Sequence, residues 1–221
     1  MTLVTLEDLK NDPEVDIYVT RCNEHLKALG YTEHGFRHVG LVANIARNLL
    51  AHLGYDGREA ELGAIAGYLH DIGNVVNRDH HGQTSASMAW HLLRQRGMAA
   101  GEVATVIAAI GNHEEEYGQA VNTTAAALIL ADKSDVHFTR VQNKDLSTFD
   151  IHDRVNYAVK HSFLRVEAGK KVIVLDLTVD TGFSPVMDYF EIFLTRMVMC
   201  RRAATFLDCR FELSINDVRL L

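Results

Sequence analysis

The 221-residue sequence predicts a mostly α protein: a helical bundle over residues 1–160 and a small α+β C-terminal extension over 161–221 packed on it. Three observations carry that reading. Apolar residues recur at helical spacing through most of the first 160 positions, with short connections between the runs. The only two prolines, Pro13 and Pro185, each follow a residue suited to cap a helix. After His161 the pattern turns to the alternation of half-buried strands.

Taken in order, Asp12-Pro13 reads as an N-cap and first helical position, opening a helix that stops at Gly30. A second helix opens near Thr32, carries Phe36, Val39, Ile45, Leu49 and Leu53, and ends at Gly54. A third runs from Asp56 to His70-Asp71. Further helical patterns cover about 84–96, 102–116, 123–140 and 152–160. Residues 162–167 and 171–178 read as strands joined by an Ala168-Gly169-Lys170 turn. Ser184-Pro185 starts one long helix to about Leu207, and 209–215 alternates as a last strand. The short strands are expected to pair antiparallel. Trp90, near Met88 and Leu92, is expected in the helix core.

Composition narrows the function classes. Hydrophobic residues at 48% and charged residues at 23% are ordinary globular usage. A net charge of −7 excludes a protein that coats nucleic acid by charge, and no stable nucleic-acid binding is expected. Cys22, Cys200 and Cys209 make no C-x-x-C pair, so neither a disulfide framework nor a thiolate metal site is expected. The amino terminus lacks a leader pattern and no apolar run reaches membrane length. The expectation is a soluble cytoplasmic protein with no membrane partner. Histidine is the excess, at 12 residues, and it is the commonest metal ligand.

The strongest local signal is His70-Asp71-Ile72-Gly73-Asn74 at the end of an apolar helix, where an imidazole and a carboxylate can turn toward one cation and Gly73 allows a sharp exit. His38 lies on the preceding amphipathic helix. Asp132 ends the apolar run Ala125–Ala131, where an unpaired carboxylate would be costly to bury. Two histidines and two carboxylates on separate helices form a mixed N/O donor set that suits Fe, Mn, Zn or Ni better than calcium.

In this ordered set the chain resembles the HD-domain superfamily of metal-dependent phosphohydrolases. The frames Phe36-Arg37-His38-Val39, Tyr68-Leu69-His70-Asp71-Ile72-Gly73 and Leu130-Ala131-Asp132-Lys133-Ser134-Asp135 carry the likeness over roughly residues 30–140. The resemblance implies one or two divalent transition-metal ions. His38, His70, Asp71 and Asp132 would hold one, and His81 and His113 would hold a second that shares Asp71; His80 rivals His81. The catalytic role then falls to Asp71, with a water acidified by the ions, and no Ser or Cys nucleophile is required.

Phosphate charge needs further cations. Residues 133–171 hold eight Lys/Arg against five Asp/Glu, and Lys133, Arg140, Arg37 and His34 are the candidate substrate contacts. Two departures matter. Asn74 stands where many two-metal relatives carry a phosphate-contacting lysine, and Glu114-Glu115-Glu116-Tyr117-Gly118 lacks the signature proline of cyclic-di-GMP hydrolases. Asp150-Ile-His152-Asp153-Arg154 reads mainly as a helix cap with a polar first turn.

The expected function is hydrolysis of a phosphoester or phosphoanhydride in a small phosphorylated substrate, a nucleotide among the candidates. The alternatives are an HD-type di-iron oxygenase and a non-catalytic metal-stabilised regulatory module. A homodimer through the C-terminal extension is a further expectation.

Overall fold

A computed structural model describes residues 3–220. Its helices are α1 (Leu6–Lys10), α2 (Pro13–Ala28), α3 (Phe36–His52), α4 (Gly57–Leu69), α5 (His81–Gln95), α6 (Ala100–Gly111), α7 (Thr123–Lys133), α8 (Ile151–Ala158) and α9 (Val186–Phe206). The strands are β1 (Val159–Glu167), β2 (Val172–Val179), β3 (Arg210–Ile215) and β4 (Val218–Arg219).

Local chemistry sets most helix boundaries. The Asp12 carboxylate accepts from the Glu14 and Val15 amides, with Pro13 in the first turn. Asp56, Asn122 and Asp150 cap α4, α7 and α8 in the same way. The chain leaves α2 and α3 through Gly30 and Gly54 at positive φ, a backbone conformation glycine adopts without penalty. Helix α3 opens at Phe36, four residues later than Thr32, because residues 31–34 form a loop that runs into the extended Gly35 cap.

Helix α7 is the centre of the bundle. Every residue from Thr124 to Ala131 is buried, as expected of a helix apolar on all sides. Helices α3 and α4 pack on it and on each other. Their approach is closest at Gly67, where a Cβ would lie 2.8 Å from the Ala43 Cα. That contact brings the end of α4 against α3 and so sets His70 beside His38.

Several sequence expectations are corrected. The pattern over 123–140 breaks at Lys133, where the Ser134 hydroxyl donates back to the Ala131 carbonyl, so His137 is not on the helix of Asp132. Helix α6 stops at Gly111, which places His113 in the loop beyond it. Helix α5 starts earlier than expected, at His81. Trp90 is 52% exposed, because α5 buries the face of Ser85, Ala89, Leu92 and Leu93. Pro185 caps α9 where Ser184 was expected to. Helix α1 and strand β4 were not anticipated.

The sheet has the order β1-β2-β3-β4. β1–β2 pair antiparallel as expected, and the unanticipated β4 pairs antiparallel with β3, but β2 and β3 run parallel, with Val172 opposite Arg210 and Leu177 opposite Ile215. The reason is the connection: α9 carries the chain back along the sheet, and a helical crossover returns a strand parallel to the one it left. Helix α9 packs on α7, and β1 packs on α3, so the C-terminal segment shares the bundle's core.

Candidate metal centre

Four elements converge on a buried cluster. His38 comes from the first turn of α3, His70 and Asp71 from the end of α4 and the turn after it, and Asp132 from the last turn of α7. His81 begins α5 and His113 follows α6. Gly73 makes this compactness feasible. A Cβ there would lie 2.4 Å from the His81 carbonyl oxygen and 2.5 Å from the Ser85 amide nitrogen, and the Gly73 N–H donates to Ser85 Oγ at 2.8 Å. The glycine is needed for this close approach, its φ not being positive.

The four histidines are oriented alike. Nδ1–H of His70 donates to the Gly67 carbonyl at 2.8 Å, that of His81 to Arg78 at 2.9 Å and that of His113 to Ile110 at 2.6 Å. Nδ1–H of His38 donates to Asp135 Oδ2 at 2.7 Å. Each ring therefore turns Nε2 inward, the outer partner fixing the ring as it does around metal ligands. His38 Nε2 and His70 Nε2 lie 3.3 Å apart, and His81 Nε2 and His113 Nε2 lie 3.1 Å apart.

Asp71 stands between the two pairs. Its Oδ2 is 3.5 Å from His38 Nε2 and 3.3 Å from His70 Nε2, and its Oδ1 is 3.4 Å from His81 Nε2 and 3.9 Å from His113 Nε2. Asp132 Oδ1 closes the first group, 3.4 Å from His38 Nε2 and 3.7 Å from His70 Nε2. Donors held at about 2.1 Å from one ion sit about 3.0–3.4 Å from each other, close to these spacings. Asp71 Oδ2 is buried with no hydrogen-bond partner among the described residues, an orphaned oxygen aimed where a cation would sit. The mixed imidazole–carboxylate donor set fits a divalent transition metal.

The electrostatics agree. Burial alone would raise the Asp71 and Asp132 carboxyls, yet the histidines, with Lys133 beside Asp132, hold both well below the usual carboxylate range. Burial lowers His70, but Asp71 and Asp132 outweigh it and lift the imidazole to about 10. The space between those carboxylates stabilises positive charge. On the other side burial, with His70 and His81, pushes His113 down to about 3, so it presents a neutral imidazole.

The remaining site candidates lie around this cluster. His81 joins it, whereas His80 is the exposed cap of α5 at φ 58° with its ring 5.2 Å from that of Tyr117. Lys133 Nζ is buried against Asp132 Oδ2 at 2.7 Å and Glu115 Oε1 at 3.0 Å, so it acts on the cluster through Asp132. Arg37 grips Asp135 with both terminal nitrogens, at 3.2 and 2.7 Å, and Glu33 with Nε. Arg140 is buried and donates to the Glu33 and Asp135 carbonyls. Burial and Arg140 hold His34 well below its ordinary pKa, and its ring lies 5.3 Å from that of His38.

Two cavities meet at Tyr31 and Arg78. A cleft of about 390 Å³ is lined by His34, Arg78, Arg140, Arg196, Asp150 and Asp153, among others. A second, of about 400 Å³, opens over His81 between Asp79, Glu114, Glu115 and Glu116. Three arginines face two carboxylates in the first, and one arginine faces four in the second. Arg78, Arg196, Asp135 and Glu114 were missed as contributors. Arg78 receives its place from Asn74, whose Oδ1 accepts from Nη1 at 3.2 Å while Nδ2 donates to Asp71 Oδ1 at 3.1 Å. The departure at Asn74 was the one sequence signal pointing there.

Fold and site together define a helical protein with a buried histidine–aspartate cluster suited to cations. The HD domain family matches residues 35–146, half of the chain, and the chain belongs to that family. No curated protein matches it. Among the described residues no helix is long and apolar enough to cross a membrane.

Proposed function

We propose that the chain is a metal-dependent phosphohydrolase that cleaves a phosphoester or phosphoanhydride bond in a small phosphorylated substrate. The observation that carries this reading is Asp71, whose two carboxylate oxygens face two adjoining pairs of inward-turned imidazoles, Oδ2 the His38–His70 pair and Oδ1 the His81–His113 pair. His38, His70, Asp132 and Asp71 would hold one ion, and His81, His113 and Asp71 the other. Bound ions of the Mn, Fe, Zn or Ni class supply Lewis acidity that lowers the pKa of a water and neutralises charge building on phosphoryl oxygens.

The chain's own groups prepare that chemistry. Asp135 fixes the ring of His38, Lys133 neutralises Asp132 Oδ2 while leaving Oδ1 toward the histidines, and Asn74 holds Asp71 Oδ1. The arginine-lined cleft supports an anionic substrate entering on the His34 side, because the four carboxylates of the other cavity repel one. Arg78, Arg196 and the uncharged His34 are its contacts there, and Arg140, whose nitrogens donate to the Glu33 and Asp135 carbonyls, holds that wall.

The test is hydrolysis by purified full-length chain loaded separately with manganese, iron, zinc or nickel. The substrates are mono-, di- and cyclic nucleotides, sugar phosphates and aryl phosphates. Turnover that disappears with a chelator and returns with the ion is expected. No turnover of any of these under any loading overturns the reading.

A further inference from the structure

The cleft beside His34 reaches beyond the segment that the HD family matches. Its far wall is built by α8, through Asp153 and Asn156, and by α9, through Phe193 and Arg196. These residues belong to sequence that family membership does not interpret.

Charge orients what lies in the cleft. Arg78, at the junction with the second cavity, is linked through Asn74 to Asp71, and this marks the end toward the metal centre. Asp153 and Asn156 are both buried as residues and yet line the cleft. Asn143 Nδ2 donates to Asp153 Oδ2 at 3.2 Å, which uses one of roughly four acceptor positions on a carboxylate. Asn156 Nδ2 donates to the His152 carbonyl at 2.8 Å, and its Oδ1 accepts no hydrogen bond from the described residues. Neither oxygen is among the fully buried atoms left without a partner, so both face cleft water, and a ligand that displaces that water without offering a donor loses its hydrogen bonds.

Three kinds of ligand body can be compared. An apolar body would leave these acceptors unpaired. An ammonium would meet them but would share the cleft with Arg78, which has no carboxylate partner among the described residues, while Arg196 and Arg140 are paired with Glu115 and Asp135. A hydroxyl supplies the donor without charge, and a phosphorylated polyol supplies it at the far end from its anion.

We propose that Asp153 and Asn156 are specificity-determining residues that read hydroxyl groups on the body of a sugar or polyol phosphate, with the phosphate directed toward Arg78 and the metal centre. The direction of the phosphate rests on the phosphohydrolase reading; the hydroxyl-reading wall rests on the cleft itself.

The test is equilibrium binding by calorimetry to the manganese-loaded full chain. It uses two non-hydrolysable phosphonates: ribose 5-phosphate with its bridging oxygen replaced by methylene, and the cyclopentyl counterpart lacking the hydroxyls. The wild type is expected to bind the first at least about tenfold more tightly, the scale of a hydrogen bond to a charged acceptor. Asp153→Asn, which turns an acceptor toward a donor at constant shape, is expected to bring the two affinities together. Asn156→Leu provides a second variant of similar volume.

Equal affinities in the wild type, or a margin unchanged in both variants, overturn the proposal. A margin without turnover of any phosphoester supports the hydroxyl-reading wall and overturns the hydrolytic reading. Turnover without a margin does the reverse.

Discussion

Asp135 Oδ2 accepts a hydrogen bond from His38 Nδ1 at 2.7 Å. That bond commits Nδ1 as the donor and turns Nε2 toward Asp71 and Asp132. The same carboxylate is held from outside by Arg37, and burial is outweighed by Arg140, His38 and Arg37, which keep it ionised. Asp135→Asn is therefore expected to leave the chain folded and to weaken divalent-ion binding about 10–100-fold, the usual effect of removing an outer partner of a ligand. Metal titration checks this, and unchanged affinity would remove Asp135 from the site.

Asp71 is the residue common to both halves of the cluster. Asp71→Ala is expected to abolish metal uptake, whereas His113→Ala is expected to leave about one ion per chain on the His38 side. Metal analysis after dialysis reads both. Wild-type stoichiometry in Asp71→Ala contradicts the shared-ligand assignment, and an unchanged count in His113→Ala contradicts the second ion.

Gly73 is buried between the turn after α4 and the start of α5. An added methyl would collide with the His81 carbonyl and the Ser85 amide, both backbone atoms that cannot rotate away. Gly73→Ala is expected to destabilise the chain by about 1–3 kcal/mol, the cost of overpacking, and to move His81. A denaturant melt gives the first effect and metal stoichiometry the second.

Glu102 on α6 accepts two bonds from Arg58 on α4, at 2.6 and 2.7 Å, and Arg58 lowers its carboxyl below 4.5. A folded-state value below the unfolded one adds stability above about pH 4.5 that is lost as the pH falls through the lower value. Glu102→Gln is expected to cost up to about 1 kcal/mol at neutral pH and to flatten the acid limb of the stability curve below 4.5. Urea melts between pH 3 and 7 on wild type and variant test it.

The helical class and the order His38, His70-Asp71, Asp132 were legible because caps, glycines and apolar spacing act locally. The same locality explains the misreadings. The periodic pattern runs past Lys133 in sequence, but the Ser134 turn ends the helix. The parallel pairing of β2 and β3 follows from the path of α9, which no strand pattern encodes. Trp90 has apolar neighbours in sequence, yet the buried face of α5 is built around Ala89 and Leu92.

The cleft was harder to foresee than the cluster. Metal-type residues announce themselves because a buried Asp or a His-Asp doublet needs a reason. Arg78 looks like an ordinary loop charge and Arg196 like an ordinary helix-face charge until the fold brings α9 and the segment after α4 around one space. Asp153 reads as part of a helix cap, and it does lie in the capped first turn of α8, its amide bonded to Asp150. Its second surface, toward the cleft, depends on α8 standing opposite that segment.

The placement of Asp71 also sets a length scale. Its two oxygens are joined through one carbon, so the offset between the His38–His70 pair and the His81–His113 pair is gauged by a covalent group whose dimensions cannot drift. A shift of α3 against α5 would tilt the carboxylate but could not stretch it. The cluster carries its own ruler, cut from a single side chain.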